Sequence, residues 1–156
     1  MKIKLLVVDK TKGGYLQEGI EEYVKRLKHY IPFAIEIIPG IKDKAIIPGH
    51  LAKKEGELII NRLSKNDFVI LLDEKGKQYT SPGFAKLVEK SINSSISSMV
   101  FIVGGAYGVS DEVKSKANDI IALSSMTFSH QMIRLFFAEQ LYRAMTIIRG
   151  ERYHHG

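Results

Sequence analysis

The stretch that most constrains the fold is residues 99–108. Residues 99–103 (Met-Val-Phe-Ile-Val) form an unbroken apolar run, which the glycine pair Gly104-Gly105 follows directly. A run this apolar and this rich in β-branched and aromatic residues predicts a strand buried on both faces. Glycines let a ligand approach the backbone closely, and Ser110 is a suitable cap for a following helix. Strand, glycine turn and helix are typical of a ligand site at the carboxyl end of such a strand, although an ordinary tight turn explains these glycines equally well.

Strand-like and helix-like segments alternate along the whole chain. Periodicity predicts strands at 2–8, 33–38, 67–72, 99–103 and 119–123, and helices at 16–27, 51–63, 81–92, 110–117 and 129–148. The segments between them include a basic exposed loop at 39–50 and a charged turn at 73–77. The alternation predicts one α/β domain over residues 1–156, with a mostly parallel sheet and helices on both faces.

Composition and charge limit the classes of partner. The chain of 156 residues contains no cysteine, which excludes disulfides and thiolate zinc sites. No apolar stretch approaches the roughly 20 residues of a membrane span, so we expect a cytoplasmic protein. The formal net charge is +6, and the excess is uneven: residues 1–99 carry 17 Lys and Arg against 12 Asp and Glu, and residues 100–156 carry 6 against 5. Such a surface would attract a phosphate backbone, although many soluble proteins of this charge bind no nucleic acid.

The last helix is apolar around most of its circumference. Its apolar residues between Met132 and Ile148 cover several faces at once, and a helix of this kind must be buried on several sides. In a chain this short, the simplest cover is a second subunit. The sequence therefore predicts a homodimer that buries this helix.

Three strand-end segments should meet at one edge of a parallel sheet. They are Leu72-Asp73, the glycine pair, and residues 123–128, and the last of these lies in a stretch without charge from Ala122 to Ser129. A pocket with few fixed charges suits a neutral base joined to a small zwitterion. Taken alone, the third segment is explained slightly better by an ordinary loop that caps the last helix through Thr127 or Ser129. The glycine spacing matches neither the dinucleotide fingerprint nor the phosphate-binding loop.

Several ordered motifs together resemble one family. They are I-V-G-G-A-Y-G, L-S-S-M-T-F-S-H-Q-M-I-R, A-E-Q-L-Y-R-A, the ending Y-H-H-G, and an early K-E-G-E at 54–57. The resemblance, which runs from Met1 to the C-terminus, is to the small SPOUT-class methyltransferases that modify N3 of a pseudouridine in bacterial 23S ribosomal RNA. It implies a C-terminal trefoil knot, an obligate homodimer, no metal, and a substrate presented by the assembled ribosome. It also implies S-adenosylmethionine bound in the knot by Leu72, Gly104, Leu123, Ser124, Ser125, Met126, Thr127 and Phe128.

The resemblance also implies catalytic roles near the C-terminus. Tyr153 and His154 match the family's Tyr-His ending, and Arg143 matches a family position in the last helix. The reaction transfers a sulfonium methyl group to an imide nitrogen, which must lose its proton, so His154 is expected to be a general base or a hydrogen-bond partner. Arg143 is expected to contact a phosphate or a substrate anion. The family usually has Arg or Lys where His155 stands here, which puts a fixed positive contact at that place in doubt.

Other readings of these residues stay open. Glu139 and Arg143 have the i,i+4 spacing of an ordinary helix ion pair, the tail residues fit a frayed end, and His130 fits a loop-positioning role as well as a structural one. For the whole chain, one rival is a dinucleotide-dependent oxidoreductase, which would need an acidic residue about 20 positions beyond the glycines. Asp119 lies too early for that role. A second rival is a non-catalytic RNA- or ribosome-binding protein of the same fold.

Overall fold

The structure, a computed structural model, describes all of residues 1–156. Five strands and five helices alternate without exception. The elements are β1 (Lys2–Val8), α1 (Gly14–Leu27), β2 (Phe33–Ile38), α2 (Pro48–Ile60), β3 (Phe68–Gln78), α3 (Ser81–Ile92), β4 (Ser98–Val103), α4 (Asp111–Lys116), β5 (Asp119–Ala122) and α5 (Met132–Ile148). The predicted α/β fold class with this alternation is confirmed.

All five strands form one parallel sheet in the order β2-β1-β4-β3-β5. β4 is central, and each of its six residues is buried. Its side chains alternate between the two faces, because Phe101 packs in one core cluster and Ile102 packs in the other. The apolar run of the sequence is therefore a strand covered on both faces, as predicted.

The helices form a layer on each face of the sheet. On one face α5 packs between α1 and α3, and its Phe137 ring lies 4.6 Å from the ring of Phe101 in β4. On the other face α2 and α4 pack together, contributing Ile59 and Val113 to the second, smaller core. This three-layer arrangement and its strand order are consistent with the knotted topology that the resemblance implies.

Three predicted boundaries are wrong in an informative way. α2 begins at Pro48 rather than at residue 51, because a proline at the first helical position loses no hydrogen bond there, so the loop predicted to run to residue 50 ends earlier. β3 continues through the predicted charged turn to Gln78. Its pairing with β5 is interrupted between Leu72 and Lys77 (the β3 excursion), so that both residues lie opposite Ile121. α5 begins at Met132, three residues later than predicted, and Ser129 Oγ in the preceding turn accepts a hydrogen bond from the Met132 backbone N–H.

Within the one chain α5 is buried on one side, against the sheet and the two neighbouring helices, where Phe137, Leu141 and Met145 pack in the larger core. Several other apolar residues of the helix are only partly buried, namely Met132, Ile133, Leu135, Tyr142, Ile147 and Ile148. Phe136 on α5 is 38% exposed, and Phe128 and Met126 in the preceding loop are 39% and 72% exposed. The homodimer that would cover these side chains stays a prediction. No helix of the structure is both long enough and apolar enough to span a bilayer.

Candidate functional site

A pocket of about 690 Å³ lies at the carboxyl edge of the sheet. It is formed where β3, β4 and β5 end, and the three predicted segments all contribute to its wall. Of the predicted cofactor residues, those that line it are Leu72, Gly104, Leu123, Ser124, Met126, Thr127 and Phe128. Ser125 belongs to the same loop but does not line the pocket. The volume falls in the range of about 300–1,000 Å³ that is typical of small-molecule sites.

At Gly104 and Gly105 the glycine turn at 104–108 has no room for a side chain. A Cβ on Gly104 would lie 2.6 Å from the side chain of Val109 and 2.9 Å from the carbonyl oxygen of Gly108. Gly108 itself has a φ of 82°, a conformation that favours glycine. The turn is therefore a tight backbone wall of the pocket, and Ser110 caps α4 immediately behind it by accepting from the Val113 N–H.

The loop from Leu123 to His130 forms the opposite wall. Ser124 Oγ accepts from the backbone N–H of Met126 at 3.0 Å, and Thr127 donates its hydroxyl proton to Glu74 of the β3 excursion. Of the two helix caps proposed from the sequence, Ser129 caps α5 and Thr127 does not. The loop is thus an ordinary helix cap at one end and a pocket wall over most of its length.

Arg134 fastens this loop to the first strand, a role that sequence analysis missed. Its guanidinium group is fully buried. Nη2 donates to the carbonyl oxygen of Val8 at 2.7 Å, Nη1 donates to that of Asp9 at 2.9 Å, and Nε donates to that of His130 at 3.1 Å. The only indication of this role in the sequence is a single arginine inside the apolar run I-R-L-F-F. This arginine ends one of the motifs that resemble the SPOUT-class methyltransferases.

His130 lines the pocket, and its carbonyl oxygen is held by Arg134. Burial, together with the nearby charges of Arg134 and Lys12, lowers the pKa of the His130 imidazole. The ring therefore stays neutral at neutral pH and presents no fixed charge to the pocket. This arrangement fits a loop-positioning residue.

Like Arg134, Glu55 has a structural role that sequence analysis missed, since it appeared there only as part of the K-E-G-E motif. It is 7% exposed, and its Oε1 atom is buried without a hydrogen-bond partner. The carboxyl group lies directly behind the glycine turn, since a Cβ on Gly105 would be 2.8 Å from Oε1. Burial and the neighbouring Asp9 raise the pKa of Glu55. The side chain therefore supports the pocket wall from behind and favours its uncharged form.

The three predicted catalytic residues form one cluster around Glu139 of α5. Arg143 Nε donates to Glu139 Oε1 at 3.1 Å, and Tyr153 Oη donates to the same oxygen at 3.0 Å. Arg143 Nη1 lies 3.2 Å from Nδ1 of His154. The tail is packed rather than frayed, and the i,i+4 ion pair of Glu139 and Arg143 is present as part of the cluster.

Charge and tautomer within this cluster follow from its contacts. Glu139 raises the pKa of Arg143, and burial with hydrogen bonds to Tyr23 and Glu139 raises the pKa of Tyr153 above its ordinary value. Because a guanidinium group can only donate, Nδ1 of His154 must accept, and a neutral ring then carries its proton on Nε2. Nε2 is buried without a partner. It is the group in the cluster with a hydrogen bond still to make.

The cluster and the pocket do not meet within one chain. None of Arg143, Tyr153 and His154 lines the pocket. A smaller cavity of about 250 Å³ lies between them, sharing Leu123, Ser124 and Phe128 with the pocket and reaching Glu139 of the cluster. No three His, Cys, Asp or Glu side chains lie close enough to hold a metal ion.

A parallel sheet with a ligand-sized pocket at its carboxyl edge is typical of α/β enzymes that bind nucleotide-like ligands. Comparison with known families narrows this class. Residues 1–154 match the family model described as "Predicted SPOUT methyltransferase". The chain belongs to the SPOUT methyltransferase family.

Individual relatives agree with this assignment. The chain is 53% identical, over 99% of both sequences, to the "Ribosomal RNA large subunit methyltransferase H" of Parabacteroides distasonis. It is 51% identical to the protein of the same name from Cytophaga hutchinsonii, over 99% of this chain and all of that one. Among solved structures, a probable methylase family protein from Haemophilus influenzae Rd KW20 superposes with a TM-score of 0.50, covering 95% of this chain and 66% of that one. At 12% identity, this last likeness concerns the fold alone.

Proposed function

We propose that this chain is an S-adenosylmethionine-dependent methyltransferase that methylates N3 of a pseudouridine in 23S ribosomal RNA, on the assembled ribosome in the cytoplasm. The observation that carries the proposal is the pocket of about 690 Å³ at the carboxyl edge of the sheet, lined by the segments that resemble the family. The names of the full-length relatives supply the ribosomal RNA of the large subunit.

The pocket fits S-adenosylmethionine on physical grounds. Leu72, Leu123 and Met126 offer apolar surface for the faces of an adenine ring, and the loop from Ala122 to Ser129 has no charged side chain to oppose a zwitterion. Gly104 and Gly105 bring bare backbone to the pocket wall. The cofactor supplies an electrophilic methyl group when bound. The residues of the protein must orient the base and stabilise the negative charge that it develops.

N3 of a pseudouridine lies between two carbonyl groups, and its negative charge spreads onto their oxygens as the proton leaves. Hydrogen-bond donors directed at those oxygens therefore lower the barrier. In the tail cluster, Nε2–H of His154 is such a donor, and Arg143 holds the ring in this tautomer through Nδ1. The geometry thus favours a hydrogen-bond role for His154 over that of general base. Tyr153 orients Glu139, which in turn holds Arg143.

A second copy of the chain is needed to complete the site. The tail cluster does not line the pocket of its own chain, so a homodimer in which one protomer supplies the pocket and its partner supplies the cluster brings the two together. Exposed apolar side chains lie beside the pocket in the positions such a partner would cover, namely Met126, Phe128 and Phe136. The rings of Phe128 and Phe136 pack edge to face, 4.8 Å apart, and form one continuous apolar patch.

The decisive experiment follows labelled methyl groups from S-adenosylmethionine into intact ribosomes and free subunits, and maps the modified nucleotide. His154→Ala should reduce methyl transfer by about a hundredfold or more, the effect typical of losing a donor to a developing oxyanion. The affinity for S-adenosylmethionine, measured by titration calorimetry, should be unchanged. The matched control is His29→Ala, which removes an exposed histidine at the opposite edge of the sheet.

Other outcomes would point elsewhere. Binding of S-adenosylmethionine without methyl transfer to any ribosomal particle would leave a non-catalytic ribosome-binding protein as the better description. A response to NAD in place of S-adenosylmethionine would favour the oxidoreductase and refute the proposal outright.

A further inference from the structure

A second cleft, of about 530 Å³, adjoins the pocket and lies between the β3 excursion and residues 117–120, which lead into β5. The two share Asp73, Lys75 and Lys114 as common wall. Lys77 lines the second cleft only. We call Lys75, Lys77 and Lys114 the lysine rim. All three side chains are exposed. They line the second cleft, directly beside the mouth of the pocket.

The backbone fixes the place of the lysine rim. Between Leu72 and Lys77, β3 leaves its pairing with β5. The pairing resumes at Lys77, which lies opposite Ile121. At this return Gly76 lies so close to β5 that a Cβ would be 2.6 Å from the carbonyl oxygen of Ile120. Lys75 and Lys77 flank this contact, and Lys114 projects from the short helix that follows the glycine turn. The rim is therefore held by the same elements that form the pocket.

The three lysines are free to bind an anion. None of them forms an ion pair in the structure, whose four ion pairs involve other residues. Lys77 lies over the ring of Tyr79, with its Nζ 5.0 Å from the centroid, a contact that leaves its charge in place. The rim carries three positive charges beside the mouth of the pocket.

The acidic groups of this cleft already have hydrogen-bond partners. Asp73 accepts from the backbone N–H of Lys75 at 2.8 Å, and Asp119 accepts from the backbone N–H of Ile120 at 2.9 Å. Both carboxylates are half-buried, whereas the lysine side chains extend into solvent. The neighbouring Glu74, in the wall of the adjoining pocket, is exposed and accepts a hydrogen bond from the Thr127 hydroxyl. Three ammonium groups thus face solvent beside one exposed carboxylate.

We propose that the lysine rim binds the phosphodiester backbone of the substrate RNA, next to the nucleotide that enters the pocket. The inference rests on the proposed function and deepens it, since it names the surface along which the RNA strand runs. A nucleotide in the pocket stays joined to its strand, so the flanking phosphates must lie at the pocket mouth. Lysine is a suitable ligand for them, because phosphate contacts position a strand without reading its sequence.

The test replaces the whole rim with Lys75→Gln/Lys77→Gln/Lys114→Gln. Its matched control removes the same charge from exposed lysines on the helices of the other face, as Lys25→Gln/Lys86→Gln/Lys90→Gln. The probe is the purified large ribosomal subunit, with binding measured by co-sedimentation between 50 and 200 mM salt. Each lost phosphate contact should flatten the dependence of log affinity on log salt by about 0.7 to 1, so the rim variant should lose roughly 2 to 3 from the slope.

The rim variant should also bind the subunit at least about tenfold more weakly at the lower salt concentration. Its affinity for S-adenosylmethionine should equal that of the unaltered protein. A fall in that affinity would assign the lysines to the cofactor's carboxylate and overturn the proposal. An unchanged salt slope, or the same change in rim variant and control, would also overturn it.

Failure of this inference can be told apart from failure of the proposed function. If the unaltered protein methylates ribosomes and the rim variant binds them normally, only the lysine rim is refuted. If the unaltered protein neither binds nor methylates a ribosomal particle, both proposals fail together.

Discussion

Glu55 illustrates how a single buried residue can carry a cost that the sequence does not reveal. The residue is buried, and its carboxyl group lies against the glycine turn and leaves one oxygen without a hydrogen-bond partner. A buried charge without a counter-ion is expensive, whereas a neutral carboxyl group costs far less. Burial and the neighbouring Asp9 accordingly raise the pKa of Glu55. The residue therefore makes the stability of the pocket wall depend on pH.

We expect Glu55→Gln to remove this dependence. Because the folded-state pKa is raised, the native protein binds more protons than the unfolded chain above the ordinary value of 4.5. The stabilisation is present below that pH and is lost as the pH rises through the folded pKa. Urea unfolding from pH 4.5 to 8 should show a flatter pH profile for the variant, which should be at least as stable at neutral pH. Glu57→Gln, at an exposed neighbour, is the control, and equal profiles for the two variants would contradict the prediction.

At the level of secondary-structure elements, the most important contact is the one between β1 and α5. Arg134 lies on α5, yet two of its hydrogen bonds reach the carbonyl groups of Val8 and Asp9 at the end of β1. Asp9 has a φ of 66°, a left-handed conformation that aspartate tolerates better than most residues. A third hydrogen bond holds the carbonyl of His130 in the pocket wall. One side chain thus fastens the loop at 123–130 to the sheet.

We expect Arg134→Met to destabilise the protein and loosen the pocket. Each buried carbonyl that loses its partner costs about 1–3 kcal/mol, so the free energy of unfolding should fall by roughly 3 kcal/mol or more in urea titrations. The affinity for S-adenosylmethionine should fall as well, because the 123–130 wall loses its anchor. The control Arg62→Met breaks a surface ion pair with Glu36 and should cost less than about 1 kcal/mol. A cost no greater than the control's would rule out the anchoring role.

In the whole molecule the pocket and the tail cluster are separate, and a patch of exposed apolar side chains lies in the loop and helix between them. The pocket belongs to the ends of β3, β4 and β5, and the tail cluster belongs to α5 and the C-terminus. Met126, Phe128 and Phe136 lie exposed in the loop and helix that connect the two regions. A partner subunit that covers this patch would exclude water from the pocket and supply its own tail.

We therefore expect Phe136→Glu to yield monomers that have lost methyl transfer. A charge in the patch would have to be buried without a partner, which opposes association. Sedimentation velocity gives the oligomeric state, and the labelled-methyl assay on ribosomes gives the activity. Ile37→Glu, at a similarly exposed apolar residue on the edge strand β2, should leave both unchanged. An active monomer, or a dimer unaffected by Phe136→Glu, would refute the composite site.

The sequence by itself determined the architecture and the place of the pocket. The apolar run of β4, the alternation of periodicities and the glycine turn are local patterns, and a parallel sheet then brings its strand ends to one edge. Local patterns could not place α2's first turn or the excursion of β3, because Pro48 and the charged residues 73–77 suit a loop as well as the element that contains them.

Only the tertiary structure decided the parts that depend on distant contacts. The hydrogen bond from Arg134 to the Asp9 carbonyl spans 125 positions, and the contact of Glu55 with Gly105 joins an α2 side chain to the β4 turn. The separation of the tail cluster from the pocket is likewise a fact of packing. Such contacts form because the whole chain buries its apolar faces together, and no single segment of the sequence indicates them.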